Sequence, residues 1–214
     1  MNQPTSTRDE ILSQLKKQKK LSVNHLKKHL NISDMAVRKH LNKLESDQLI
    51  HSFQEKQAMG RPATLYSLTA KGENIFPTNY GTMTVEFLSD IEKISGTELV
   101  DQLFEKREQR LHKKYNKQIE QHKPLIDKVN ELSKIQNKNG YMAEVQQIDD
   151  HAIEFTEYNC PIFQVANKYK KACNCELSLF KRVLGVEQIK RTACMSDGDH
   201  YCRYLIQKPV EGKK

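Results

Sequence analysis

The chain has no tryptophan, and only 8 glycines and 6 prolines in 214 residues. That is too little glycine and proline for a collagen-like or low-complexity protein. No apolar run approaches the roughly 18–20 residues that a bilayer-crossing helix needs, so no membrane partner is expected. The opening stretch, MNQPTSTRDEILSQLKKQKK, lacks the apolar core of a secretory signal, which leads to the expectation of a cytoplasmic protein. In a reducing compartment, 5 cysteines point to metal or redox chemistry rather than to a disulfide framework. There is no phosphate-binding loop and no C-x-x-C pair. His200 is the one histidine near a cysteine, and a turn histidine is usually solvated, so an enzyme is not expected.

What is present is distributed unevenly. Lys and Arg total 35 against 27 Asp and Glu, a net charge of +8. Residues 1–75 hold 13 basic against 7 acidic side chains; residues 76–138 and 139–214 each hold 11 against 10. Six of the eight excess charges therefore sit in the first third. All the cysteines lie between 160 and 202. A basic, cysteine-free head and a near-neutral, cysteine-bearing tail imply two tasks on two domains.

In the head, Ile11, Leu12 and Leu15 share one helical face. Ser22 is placed to cap a second helix with Val23, Leu26 and Leu30 inward. After a tight turn at Asn31-Ile32, Ser33 caps a third helix with Val37, Leu41, Leu44 and Leu49 inward. Two short helices joined by a tight turn form a helix-turn-helix pattern. The outward face of the third helix carries Ser33, Asp34, Arg38, Lys39, Asn42 and Lys43, hydrogen-bonding and cationic groups suited to the major groove. A strand over 49–53, a loop over 57–62 and a return strand over 64–68 follow. Gly60 allows an unusual backbone angle, Pro62 stiffens the tip, and Arg61 is held outward for a phosphate or the minor groove.

The segment Ser33-Asp34-Met35-Ala36-Val37-Arg38-Lys39-His40-Leu41 and the string Gly60-Arg61-Pro62-Ala63-Thr64-Leu65-Tyr66-Ser67-Leu68-Thr69 resemble the winged-helix heads of ArsR- and DeoR-type bacterial repressors. That resemblance covers about a third of the chain and implies double-stranded operator DNA as partner.

From 82 to 137 the pattern is helical. Phe87, Leu88, Ile91 and Ile94 form one stripe. After a break at Ser95-Gly96-Thr97, Leu99, Val100, Leu103, Phe104, Leu111, Tyr115 and Ile119 form a long, thin one. Pro124 opens a helix with Leu125, Val129, Leu132 and Ile135 inward. Thin stripes on long helices often pack on a partner helix, and a DNA-reading head usually needs a second copy, so this region reads as linker and homodimerisation helices. A helical extension of one compact monomer is the other reading.

Beyond Gly140 the period changes to alternation. A β-hairpin over 141–155 turns at Asp149-Asp150. Cys160-Pro161 opens a helix, Cys173-Asn174-Cys175-Glu176 precedes a second, and two closing strands lie over 189–194 and 201–206. Three readings compete for the cysteines. They are small buried hydrophobes, a structural zinc site with His200 beside three thiolates, or an iron–sulfur cluster gripped from several segments at Cys160, Cys173 and Cys202.

The strings Asn159-Cys160-Pro161-Ile162, Cys173-x-x-Glu176-x-x-Leu179-Phe180 and Gly198-x-x-x-Cys202-x-Tyr204 resemble the tail of SufR-type iron–sulfur repressors. That family joins a winged-helix head to a C-terminal cluster-binding domain and controls cluster-assembly (suf) genes. The cyanobacterial form spaces four cysteines x12, x13 and x14. Here Cys160, Cys173 and Cys202 keep those positions and Glu187 occupies the third. The resemblance thus implies an iron–sulfur cluster, 4Fe–4S rather than 2Fe–2S, on Cys160, Cys173, Cys202 and Glu187. Cys175 and then Cys194 rank after Glu187 as fourth ligand, with water or an open iron site as the remaining option. The alternative is a winged-helix repressor that senses zinc or a small molecule through the same tail.

The expected fold class is α+β. A winged helix-turn-helix spans 1–75, a helical linker and dimerisation region 76–138, and a small α+β cluster-binding domain 139–214.

Overall fold

A computed structural model of the protein describes residues 6–56 and 61–207. Residues 57–60, which hold most of the expected wing loop with its glycine, lie outside the described residues. The fold is mixed α+β and divides into two compact units, one running to Thr78 and the next starting at Asn79.

In the first unit, each helix begins where a short polar side chain satisfies a free backbone N–H. The Ser6 hydroxyl accepts from Asp9 N at the start of α1 (Thr7–Gln18). Ser22 and His25 form a reciprocal capping box on α2 (Val23–Leu30). Asn31 takes a left-handed conformation (φ 51°), which turns the chain toward Ser33, whose hydroxyl accepts from Ala36 N at the start of α3 (Asp34–Ser46). Strands β1 (Ile50–Glu55) and β2 (Ala63–Leu68) pair antiparallel, from Ile50 opposite Leu68 to Glu55 opposite Ala63. Leu21 exchanges two backbone hydrogen bonds with Tyr66, which fixes the α1–α2 connection to the wing. A single turn of helix, α4 (Ala70–Glu73), closes the unit. Ile11, Leu15, Leu26, Val37, Leu41 and Leu44 are fully enclosed in its core, as their spacing in the sequence predicts.

The second unit begins with α5 (Tyr80–Ser95) and α6 (Thr97–Ile119), hinged at Gly96, whose φ of 84° favours glycine. Helix α7 (Leu125–Lys138) leads into β3 (Ala143–Gln147) and β4 (Ala152–Glu157). Then come α8 (Phe163–Lys168), α9 (Lys171–Leu184), β5 (Ile189–Ala193), a 3₁₀ turn at Met195–Asp197 and β6 (Cys202–Gln207). The four strands form one antiparallel sheet in the order β3-β4-β6-β5. Phe155, Phe180 and Tyr204 meet edge-on or tilted, with ring centroids 5.0 to 6.1 Å apart, at the centre of its packed face.

Three expectations change here. The boundary drawn at 138/139 is absent, because the central helices and the tail share one core. Val100, Phe104, Tyr115 and Ile119 of α6 are buried in the same cluster as Leu179, Phe180 and Val183 of α9. The thin stripe read as a dimer seam is thus largely covered by the chain's own C-terminal helix. The α5 stripe also splits: Leu88 and Ile91 pack inward, while Phe87 and Ile94 are 60 % and 82 % exposed. Finally, Cys173-Asn174-Cys175-Glu176 does not precede α9 but forms part of its first turns.

Candidate nucleic-acid interface and thiol cluster

The structure places Ser33, Arg38, Lys39, Asn42 and Lys43 exposed on or beside the outer face of α3, with Asp34 half-buried at its start. Arg38 Nε donates to Asp34 Oδ2 at 3.1 Å, and Lys43 pairs with Asp47 at 3.3 Å. Asp47 also accepts from Arg8 at 2.8 Å; these cationic hydrogen bonds, Lys43 first, hold its carboxyl below the usual carboxylate value. Both pairs are surface pairs with little net stability to lose, so phosphate can compete for either cation. Arg61 is exposed at the start of the return strand.

Sequence reasoning passed over Met35, which is 82 % exposed on the same outward face. Its signal was an apolar residue at the start of a recognition helix, where a thymine methyl can be met. It also passed over a groove whose lining includes Lys20, Ser22, His25, Lys28, Arg38, Glu55 and Thr64. That groove brings three cations, one of them, Lys20, paired with Glu55, to the N-terminal end of α2, a setting for a DNA phosphate.

In the second unit, strand direction decides which cysteines meet. β4 and β5 end, and β6 begins, at one end of the sheet, with Glu157 opposite Cys202 and Ala193 opposite Arg203. Cys160 follows β4, Cys194 follows β5 and Cys202 opens β6. Cys173 lies in the first turn of α9. Its sulfur is 3.4 Å from the Ser196 hydroxyl, which is 3.2 Å from the sulfur of Cys194. Met195 N donates to Cys202 Sγ at 3.4 Å, and Ile162 N donates to Cys160 Sγ. The Lys170–Asp197 ion pair, at 2.9 Å, ties the 3₁₀ turn to the start of α9.

Burial is the largest influence on the thiols of Cys160, Cys173 and Cys202. It pushes Cys160 up to about 12 and raises Cys173 and Cys202 as well, so they are protonated at neutral pH. Opposing it are the Ser196 hydroxyl and the Arg191 guanidinium at Cys173, and the backbone donors at Cys160 and Cys202. Arg191 donates to the Cys173 carbonyl at 2.7 Å and to Asn174 Oδ1 at 3.2 Å, which brings a positive charge to the cluster. These are the groups that stabilise thiolates once protons leave.

A buried polar network backs the cluster. Glu157, 1 % exposed, accepts from Gln136 Nε2 at 2.7 Å through one oxygen, and its other oxygen has no hydrogen-bond partner among the described residues. Glu176 accepts from Tyr204 at 3.1 Å and from Tyr141. Tyr115 in turn donates to Gln136. Burial first, and the neighbouring Glu176 second, push Glu157 well above the ordinary carboxylate value. It is held as the neutral acid.

Of the ligand set implied by the sequence, Cys160, Cys173 and Cys202 converge and Glu187 does not. Glu187 is exposed beyond the far end of α9, and its neighbour Gln188 accepts from Gln207 N, at the opposite end of β6 from Cys202. Six strand residues separate those ends by roughly 16 Å. Cys175 lies in a pocket with Glu105, Glu108 and Lys171, on the α6 side of α9. Cys194, ranked last, is the one that joins the group. No set of three or more His, Cys, Asp or Glu side chains among the described residues is arranged to hold a single metal ion. Thiolates sharing one zinc, each at about 2.3 Å, would stand within about 4 Å of one another. Here Cys173 and Cys194 share the Ser196 hydroxyl as a hydrogen-bond partner.

One comparison bears on the head. Residues 7–85 match the family model described as "Winged helix DNA-binding domain". The first unit has a winged-helix fold. The match covers a little over a third of the chain and stops short of every cysteine. Among solved structures, one similar chain is Bacillus subtilis PadR in complex with operator DNA, 16 % identical with a TM-score of 0.30, covering 83 % of this chain and 94 % of that one. A comparison with curated proteins finds no match. No helix among the described residues is long and apolar enough to cross a membrane.

Proposed function

We propose that the protein is a transcription regulator that binds operator DNA through α3 and the wing, and that its second unit holds an iron–sulfur cluster. The observation that supports DNA binding most directly is the outer face of α3, where Arg38, Lys39 and Asn42 stand exposed in a winged helix. Fluorescence anisotropy with a labelled duplex tests it. Affinity should fall steeply between 50 and 200 mM salt, roughly as cations displace about one counterion per phosphate contact. Binding that ignores salt would exclude the reading.

The cluster part rests on the donor set. Cys160, Cys173 and Cys202 reach one end of the sheet from three separate segments, with backbone N–H donors and Arg191 beside them. A 4Fe–4S group would supply a redox- and iron-sensitive tie among those segments, and binding that requires the folded form stabilises that form. As with SufR-type repressors, the loaded protein would repress cluster-assembly genes and the apo-protein release them.

A second copy is part of this proposal. Tyr80, Phe87 and Ile94 recur on α5 at helical spacing and are 71 %, 60 % and 82 % exposed. Two heads read half-sites spaced by roughly 34 Å or a multiple of it. Sedimentation velocity should give a dimer for the wild type and a monomer for Phe87→Asp.

A further inference from the structure

We propose that Cys194 is the fourth thiolate of the cluster site, in place of Glu187 or Cys175. This rests on the cluster reading above and names the ligand that the sequence pattern leaves open.

Three observations converge. First, topology puts Cys194 at the same sheet end as Cys160 and Cys202, since it directly follows β5, and β5 runs back antiparallel to β6. Second, its sulfur and that of Cys173 both lie within hydrogen-bond distance of the buried Ser196 hydroxyl, which can donate to one of them and accept from the other thiol. Third, its backbone is fixed from both sides. Cys194 N donates to Asp199 Oδ2 at 2.7 Å, the Cys194 carbonyl accepts from Asp197 N at 2.9 Å, and the adjoining Met195 N donates to Cys202. The segment 194–202 thus folds as a tight loop with a cysteine at each end, and Ser196 within it links Cys194 to Cys173 at the start of α9.

The rivals fail on position. Glu187 sits roughly 16 Å away, at the other end of β6. Cys175 is two residues from Cys173 on one helix, about 200° around its axis, and keeps company with Glu105, Glu108 and Lys171. Neither reaches the group without unwinding α9 or the sheet. On loading, each of the four cysteines gives up its proton to solvent as its sulfur bonds to iron, the Ser196 hydroxyl is left to donate to one of the two neighbouring sulfurs, and Arg191 still donates to the Cys173 carbonyl.

The test uses the full chain, loaded without oxygen from ferric iron and sulfide with a thiol reductant that converts part of the iron to ferrous. Iron and acid-labile sulfide per chain and the visible absorption spectrum are measured for the wild type, Cys173→Ser, Cys194→Ser, Cys194→Ala, Cys175→Ser and Glu187→Gln. Circular dichroism of each apo-protein reports the fold. Both Cys194 variants should drop to the iron content of Cys173→Ser, at least fivefold below wild type, with the apo fold intact. Cys175→Ser and Glu187→Gln should load as wild type does. Full loading of either Cys194 variant overturns the assignment while leaving the cluster reading standing, and so does iron loss that tracks an unfolded apo-protein in both. A wild type that takes up no iron and sulfide overturns both.

Discussion

Arg182 on α9 donates to Glu108 on α6 at 2.8 Å, and the carboxylate, 9 % exposed, also accepts from Ser178. That ion pair sits on the seam where the central helix joins the cysteine-bearing fold, and explains why the two behave as one unit. The guanidinium is more open to water than the carboxylate, so the two partners are not equivalent. Arg182→Ala strands a nearly buried charge and should destabilise the second unit by about 1–3 kcal/mol. Glu108→Gln keeps the Ser178 contact and should cost less. Urea unfolding followed by circular dichroism separates the two. Equal losses would mean that the pair is screened as an ordinary surface contact.

The neutral Glu157 makes the apo-protein's stability depend on pH. In the unfolded chain this carboxyl titrates near 4.5, whereas burial raises it well above that in the fold. Below that value both states hold the proton and nothing is lost. Above it the unfolded chain releases the proton and the folded one retains it, so stability falls as pH rises, up to the folded value. Glu157→Gln removes the titration while keeping an acceptor for Gln136. The variant should match the wild type near pH 4.5 and gain on it as the pH rises toward 8, by up to roughly 1.4 kcal/mol for each pH unit of unmatched titration. A stability difference that is the same at both pH values would show that Glu157 is ionised in the fold.

How much of this was legible beforehand depends on the range of the interactions. Ser22, Ser33 and Asn31 act within three or four residues, and the helices they bound fall where the sequence puts them. The inward residues of the head follow from periodicity alone. Whether Val100 and Phe104 face a partner or their own chain is decided by α9, some seventy residues later, and helical spacing looks the same in both cases. The position of Glu187, away from the cysteines, was hidden for a related reason. Counting along the chain takes no account of α9 and β5 running in opposite directions, which returns Cys194, not Glu187, to the cysteines. The deep burial of Glu157 was invisible, because a glutamate at the end of a strand ordinarily reads as solvated.

Gly72 is a test of the head's packing. A Cβ built there would lie 2.0 Å from the Leu49 carbonyl oxygen, a backbone atom held by its bond from Thr69 N. Backbone cannot yield as a flexible side chain does, so α4 must move away from the start of the wing. Gly72→Ala should cost about 1–3 kcal/mol, the usual scale of overpacking. Ser33→Ala, which removes the α3 cap, should cost about 1 kcal/mol. Thermal unfolding of both variants checks the order, and a Gly72→Ala protein as stable as wild type would show that α4 is not packed on Leu49.

Arg38 and Asp34 make the DNA reading quantitative. In the free protein Arg38 is held by Asp34 at 3.1 Å, with both side chains substantially exposed. Binding must exchange that partner for a base edge or phosphate. Arg38→Ala should weaken duplex binding by about 1–3 kcal/mol, roughly tenfold to a hundredfold. Lys39→Ala should weaken it more evenly across sequences and lower the salt slope by about 1. Asp34→Ala should act in the opposite direction, since it frees Arg38 and removes a negative charge from the DNA-facing surface. Anisotropy titrations at two salt concentrations distinguish these outcomes. If Asp34→Ala weakens binding as much as Arg38→Ala does, the carboxylate is reading a base itself, as an acceptor for a cytosine amino group, rather than restraining the arginine.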